Sequence, residues 1–304
     1  MNGIQALLIC IGLGLAAPAA AVRGQDLVLE DDLGHPFRQA GPPRRIVSLA
    51  PNITETLFAL GLGPEIVGVT RFCDYPPEAK AIEKVGGLVD PSLEKIQILR
   101  PDLIIAFRGN PIGVVNKLRS LNFPVFVFDT GNTLGGVPEM IRKMGRLTFR
   151  TGEAESLCLR LEEESRRVSD ALKEARETPR VFLSLPWDGL WTCGSESYLN
   201  DLIVQAKGSN IAGRIRRRWL NLTREQLVHD NPEVIIIMAK DLAEFGAAKD
   251  RILADKRLET IAAVRARNIR FLDENVATRF GPRLFGALAD VARILHPERF
   301  PART

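Results

Sequence analysis

The chain is poor in the residues that most enzyme and metal chemistry uses. It has only three histidines, His35, His229 and His296, and they lie far apart. Its cysteines, Cys10, Cys73, Cys158 and Cys193, show no paired spacing. A zinc site gathers several such ligands at short intervals, so none is expected, and each histidine reads as a surface or loop residue. Ser48 in "SLAPNITE" lacks a G-x-S-x-G setting and has no base near it in sequence. No acid–base pair with an assignable task emerges, and "GLGPEIVG" has glycines without the dinucleotide-binding spacing after a strand. Charge of one sign is also scarce: 41 basic against 37 acidic side chains leave a net +4, too mild to argue for a nucleic-acid partner. There is no low-complexity tract and no repeat of solenoid length.

Long apolar runs are nearly absent too. The one candidate, Ile4 to Leu15, falls short of the roughly 20 residues that a spanning helix needs. It is followed by Ala19-Ala20-Ala21, the small residues a signal peptidase reads, so residues 1–21 are expected to be a signal peptide and the mature protein periplasmic. The front carries no Lys or Arg beyond the terminal amine. Cys10 follows Leu8 and Ile9 rather than small residues, which speaks against a lipid-anchored cysteine. Export removes Cys10 and leaves an odd number of thiols, so no complete disulfide framework is possible; one pair among Cys73, Cys158 and Cys193 stays open.

What is present is alternation. The 304 residues suffice for two domains of ordinary size. "DLVLEDDLGHPF" suggests two short strands around a turn. Strand "RIVSL", helix "NITETLFALGLG", strand "IVGVT", a helix near Ser92–Leu99, strand "DLIIAF", a helix near Val114–Leu121 and strand "PVFVFDT" follow. Asn52 and Glu55 have the spacing of a capping box for the first helix. Short apolar strands alternating with helices imply a mainly parallel sheet buried on both faces. From Gly152 to Glu177 no breaker occurs, and Leu157, Leu161, Val168, Leu172 and Ala175 recur at helical spacing up to Pro179. That predicts one helix roughly 39 Å long at 1.5 Å per residue, with too few heptads for a coiled coil. Strands "RVFLSL", "PEVIIIMA" and "IRFLD" then alternate with helices again, one of them near Leu258–Arg265. The expected class is α/β, with an N-terminal lobe over 22–150, a linking helix over 151–178 and a C-terminal lobe over 179–304. Ligands of such sheets bind at the carboxyl ends of the strands, so two facing lobes make a cleft.

Four stretches, "RRIVSLAPNITETLFALG", "TRFCDYPPEAKAIEKVGG", "SLEKIQILRPDLIIAF" and "LTREQL" with "NPEVIII", resemble the substrate-binding proteins of ABC importers for cobalamin, haem and ferric siderophores, the cobalamin binders above all. The likeness spans about residues 44 to 298. It implies two Rossmann-like lobes joined by one long helix, no catalysis, and a ligand held in the interlobe cleft. The family's corrinoid contacts fall on Phe72, where the cobalamin binders have a tyrosine, on Leu88 in place of an aromatic, on Trp191 and Trp219, on Asn275 in place of an aspartate, and on Arg279. Its permease-docking glutamates fall on Glu94 and Glu225.

The same residues can be weighed without the family. Phe72 and Tyr75 flank a loop at a strand's carboxyl end, where Pro76-Pro77 fix direction and Gly86-Gly87 admit close approach; either ring could instead pack under the loop. All three tryptophans, Trp187, Trp191 and Trp219, fall in loops of the second lobe, which suits an aromatic wall, though Trp187 reads equally as packing. Arg214, Arg216, Arg217, Arg218 and Arg224 form either a solvated face or, with Arg279, a place for a ligand carboxylate or phosphate. Glu94 and Glu225 near helix starts would otherwise be capping or surface residues. The expectation is therefore a monomeric, non-catalytic protein that captures cobalamin or a related corrinoid and hands it to an ABC permease with its ATPase. It needs no cofactor or metal of its own, because the metal arrives inside its chelate. Haem or a ferric siderophore is the alternative ligand, and a two-lobe α/β enzyme or a structural adaptor the rival class.

Overall fold

A computed structural model describes residues 27–300; the expected signal peptide and Cys10 lie outside them. β1 (Leu27–Glu30) and β2 (Pro36–Gln39) pair as an antiparallel hairpin. The buried Asp31 closes its turn by accepting the N–H groups of Leu33 and His35, and pairs with Arg119. Then β3 (Ile46–Ser48), α1 (Pro51–Ala59), β4 (Ile66–Val69), α2 (Leu93–Leu99), β5 (Leu103–Phe107), α3 (Ile112–Ser120) and β6 (Val125–Phe128) build a parallel sheet in the order β4-β3-β5-β6. Its strands β5 and β6 are apolar throughout because both faces are covered.

The expected Asn52–Glu55 capping box does not form. α1 begins at Pro51, whose missing N–H and fixed φ suit a first helical position. Ala50 is the N-cap and makes no side-chain bond. Glu55 thus lies too far into the helix for the reciprocal bond, and both side chains turn elsewhere.

Two helices link this unit to the next. α4 (Gly136–Leu147) is absent from the sequence expectation, because Gly135, Gly136 and Pro138 read as breakers. Pro138 is tolerated in the first turn, and Val137, Met140, Ile141, Met144 and Leu147 line its buried face. α5 (Thr151–Ala171) has 21 residues, roughly 31 Å at the usual rise, and stops short of the expected Glu177. Leu172 turns into the core, and the Lys207 ammonium donates to the Lys173 and Ala175 carbonyls at 3.4 and 3.2 Å. The corner between the helices needs glycine: a Cβ on Gly145 would fall 2.4 Å from that of Ala154.

Beyond α5 come β7 (Arg180–Ser184), β8 (Trp191–Cys193), α6 (Tyr198–Gln205), β9 (Ser209–Asn210), β10 (Trp219–Asn221), α7 (Arg224–Asp230), β11 (Val234–Ala239), α8 (Leu242–Ala254), α9 (Ala262–Arg265), β12 (Ile269–Asp273), α10 (Glu274–Ala277) and α11 (Leu284–Leu295). The second parallel sheet runs β12-β11-β7-β9, and β8 pairs with β10 as a separate antiparallel ribbon. The fold is therefore α/β with two parallel sheets. α9 is shorter than the expected Leu258–Arg265 helix, and α8 lies where none was expected.

α5 is not a free strut. It packs on α4 and on α11, and one apolar cluster extends from Ile46 and Phe128 through Met144 and Leu161 to Val181 and Leu288. Cys73, Cys158 and Cys193 are buried free thiols. Burial raises the Cys193 thiol to about 12, with weaker opposing hydrogen bonds. His296 departs from the surface expectation: it ends α11 buried, its Nε2 3.3 Å from the Lys207 carbonyl oxygen.

Candidate functional site

Parallel strands leave their carboxyl ends along one edge of each sheet, and residues on the connections leaving those edges contact one another between the two units. On the first sheet, Asn110 after β5 organises the edge. It is buried, its Oδ1 accepts the Phe107 N–H at 2.8 Å, and its Nδ2 donates to the carbonyls of Leu49 (3.1 Å) and Leu88 (2.8 Å). Three connections are thereby tied together. Leu88 is half-buried against the core, so this position supplies a backbone acceptor and apolar packing rather than an open ring.

The loop after β4 holds "RFCDYPP" outward from a buried anchor. Cys73 Sγ lies 3.1 Å from both Thr54 Oγ1 and Thr70 Oγ1. The Arg71 N–H donates to the Gly86 carbonyl at 2.8 Å, and Gly86 has a φ of +113°, a conformation that favours glycine. Between these fixed points Phe72 is 46% and Tyr75 44% exposed. The Arg71 guanidinium stands 5.1 Å from the Phe72 ring, and Arg283 stands 4.0 Å from the Tyr75 ring. The Tyr75–Pro76 bond is cis.

The second wall is aromatic. The β8–β10 ribbon sets Trp191 opposite Asn221 and Trp219 opposite Cys193. Trp187, on the loop leaving β7, meets Trp191 edge-to-face at 5.4 Å and Trp219 at 5.9 Å. Trp219 continues to Tyr198 at 6.5 Å, and Tyr198 to Phe280 at 5.2 Å. Trp191 and Trp219 are half-buried, while Trp187 is 48% exposed. The ring most open to a ligand is thus the one the sequence left undecided. A pocket of about 450 Å³ lies beside Trp187, between its loop and α8. Another, of about 650 Å³, lies between α1 and the proline loop and is lined by Phe58, Tyr75, Pro76 and Ile82. Neither reaches Phe72 or Trp219.

Glu55, whose side chain is 2% exposed, joins the two units. It accepts from Arg279 Nη1 at 2.7 Å and from Arg283 Nη2 and Nε at 2.7 and 2.9 Å. Arg279 Nη1 also donates to Asp74 at 2.7 Å, and its Nη2 to Asn275 Oδ1 at 3.2 Å. Partial burial works to raise the Asp74 carboxyl, but the hydrogen bond and charge of Arg279, with Arg283 behind it, hold it below the usual carboxylate range. Asn52 Nδ2 reaches the Phe280 carbonyl at 3.3 Å beside this clasp. Arg279 and Asn275 therefore come together as expected from sequence order, but Arg279 is only 11% exposed and its charge faces two carboxylates. Sequence reasoning missed Asp74, Arg283 and the role of Glu55. The i, i+4 arginines at 279 and 283 were the signal available.

The arginine run is mostly a paired surface. Arg214 meets Asp230, Arg216 meets Glu196, and Arg224 meets Asp255. Arg218 reaches over to the first unit, to Thr130 and Asn132. Glu94 and Glu225 are exposed in the first turns of α2 and α7. Ser92 caps α2, and Thr223 with Gln226 forms a capping box on α7, so neither glutamate is needed as a cap. Hydrogen bonds from its own N–H and from Thr223, with Arg257 and Arg224 nearby, hold Glu225 below its ordinary value. Among the described residues no His, Cys, Asp or Glu side chains gather as they would around a metal ion, and no helix is long and apolar enough to cross a membrane.

Comparison with known proteins accords with this architecture. The profile of the periplasmic binding protein family matches residues 46–276, which takes in both sheets and the helices between them. A vitamin B12-binding protein of Pectobacterium atrosepticum is 31% identical over 215 residues, 69% of this chain and 74% of its own. An uncharacterised ABC transporter substrate-binding lipoprotein of Bacillus subtilis, YvrC, is 27% identical over 264 residues, 85% of this chain and 82% of its own. Among solved structures, the periplasmic haem-binding protein RhuT from Roseiflexus in apo form superposes with a TM-score of 0.76 at 27% identity, covering 84% of this chain and 99% of that one. With the match extending over most of the chain and the same two-sheet architecture beneath it, this protein belongs to the periplasmic binding protein family.

Proposed function

We propose that this protein is the exported capture component of an ABC importer, taking up cobalamin or a related corrinoid between the two units and delivering it to a membrane permease and its ATPase. The observation that carries the reading is the aromatic wall: Trp187, Trp191 and Trp219 stacked edge-to-face at the carboxyl edge of the second sheet, with Trp187 open. Large flat rings offer a macrocycle apolar contact at little entropic cost, each well-placed aromatic contact contributing roughly 0.5–1.5 kcal/mol beyond area burial. Phe72, exposed on the proline loop, adds a ring from the first sheet. The buried clasp and shared core favour capture with little lobe closure. No side chain is assigned a catalytic role, and the metal is cargo held by its own chelate. Glu94 and Glu225, exposed on α2 and α7, are the docking contacts for arginines of the permease. The mature protein acts in the periplasm as a monomer.

Haem is the second reading, favoured by the likeness to RhuT. Calorimetric titration of the mature protein with cyanocobalamin decides between them. Tight one-to-one binding is expected. Silence towards cyanocobalamin together with a shifted haem absorption band would reassign the ligand and leave the fold argument standing.

A further inference from the structure

The arginines that bridge the two units differ in how their charge is balanced. Arg279 and Arg283 face Glu55 and Asp74, two cations against two carboxylates. Arg218 also joins the two units, but its partners are neutral oxygens: Nη1 donates to Thr130 Oγ1 at 3.3 Å and Nη2 to Asn132 Oδ1 at 2.9 Å. Among the described residues, Arg214, Arg216 and Arg224 in the same run each have an acid partner, the exposed Arg217 has none, and neither does Arg218. It is nevertheless half-buried. A guanidinium partly withdrawn from water and met only by hydroxyl and amide oxygens keeps most of its attraction for an anion.

Its position fits a ligand contact. Thr130 and Asn132 follow β6, on the carboxyl edge of the first sheet. Arg218 immediately precedes Trp219, whose ring lies 5.9 Å from Trp187. An anion attached to a macrocycle lying on the tryptophans would meet this fork, and a guanidinium suits the paired oxygens of a phosphate group.

We infer that Arg218 is a specificity-determining residue that exchanges Thr130 and Asn132 for one anionic group of the ligand, the phosphodiester of a corrinoid's nucleotide arm. The inference rests on the corrinoid reading above and deepens it. Arg279 cannot share this task, since its charge is already balanced within the clasp. The site should therefore distinguish a corrinoid with the phosphodiester from the same ring without it.

The test is a paired titration of the mature wild-type protein, Arg218→Gln and Arg218→Lys with cyanocobalamin and with dicyanocobinamide, which lacks the nucleotide arm. The wild type should prefer cyanocobalamin. Arg218→Gln should weaken cyanocobalamin roughly tenfold or more, the scale of a lost charge-assisted bond, and leave dicyanocobinamide unchanged. That unchanged affinity also serves as the control for folding. Arg218→Lys should restore part of the preference. Equal losses for the two ligands, or no loss for cyanocobalamin, would overturn the assignment to Arg218. A wild type that binds neither corrinoid would overturn the ligand reading itself and this inference with it.

Discussion

Removing Glu55 tests how the two units are held together. Its carboxylate is 2% exposed and accepts three hydrogen bonds from Arg279 and Arg283, whose side chains are 11% and 23% exposed. Glu55→Ala would leave two guanidiniums side by side with only Asp74, itself half exposed, as a carboxylate partner. Breaking a buried ion pair by deleting one member costs about 3–5 kcal/mol, because the remaining charge is stranded. Asp74 persists and Arg283 keeps its contact with the Tyr75 ring, so the lower end, about 3 kcal/mol, is expected. Glu55→Gln keeps the shape and should lose most of the same stability, which separates charge from packing. The comparison is Asp90→Ala, which breaks the Arg71–Asp90 pair with side chains 52% and 58% exposed; such pairs contribute about 0–1 kcal/mol. Urea unfolding of the three variants and wild type measures the differences. If Glu55→Ala costs no more than Asp90→Ala, the clasp does not hold the units and the reasoning from burial fails.

Three further expectations follow from the same geometry. Trp187→Ala should weaken corrinoid binding roughly two- to thirteenfold, from the 0.5–1.5 kcal/mol of an aromatic contact, while barely moving the unfolding midpoint; an unchanged affinity would remove Trp187 from the site. Reversing charge at both Glu94 and Glu225 should abolish uptake in vesicles carrying the permease while calorimetry still records ligand binding, and loss of binding would contradict a docking role. Asp74 is held below its ordinary 3.8 in the folded state, so its contribution is present above that value and is lost as pH falls through the lower folded value. Asp74→Asn should therefore be less stable than wild type at neutral pH, with the gap closing in acid below about pH 4; a gap independent of pH would refute the Arg279 contact.

The parallel sheets were legible because buried strands such as "LIIAF" and "VFVF" announce themselves as apolar runs between helices. α4 was not, since glycine and proline near its start are breakers only inside a helix, and its buried face of Val137, Met140, Ile141 and Met144 carried the better signal. The end of α5 was misplaced for a different reason: the periodicity continues to Ala175, but tertiary contacts from Lys207 capture the last carbonyls. Local spacing likewise misassigned Glu55. A capping box and a long-range ion pair leave the same residues in the sequence, and only the start of α1 at Pro51 separates them. Trp191 and Trp219, carried over from the family, stand in one cluster with Trp187, yet their relative exposure depends on how the three rings tile against one another, which no spacing encodes.

The two kinds of bridge between the units are unequal, and the inequality bears on how a ligand could enter. Separating the units at Glu55 would strand buried charge and disturb an apolar cluster that α4, α5 and α11 share. Parting Arg218 from Thr130 and Asn132 breaks two hydrogen bonds to neutral groups, each contributing about 0.5–1.5 kcal/mol net and somewhat more where one partner is charged, and leaves the neighbouring Leu134 N–H bond to Asp201 Oδ2 at 2.7 Å in place. Parting Arg218 from its two partners therefore costs less than parting the clasp. An anion on the ligand would replace both bonds that this parting sacrifices. On the corrinoid reading proposed above, capture would require only a local exchange of partners by one guanidinium, with the two sheets staying in place.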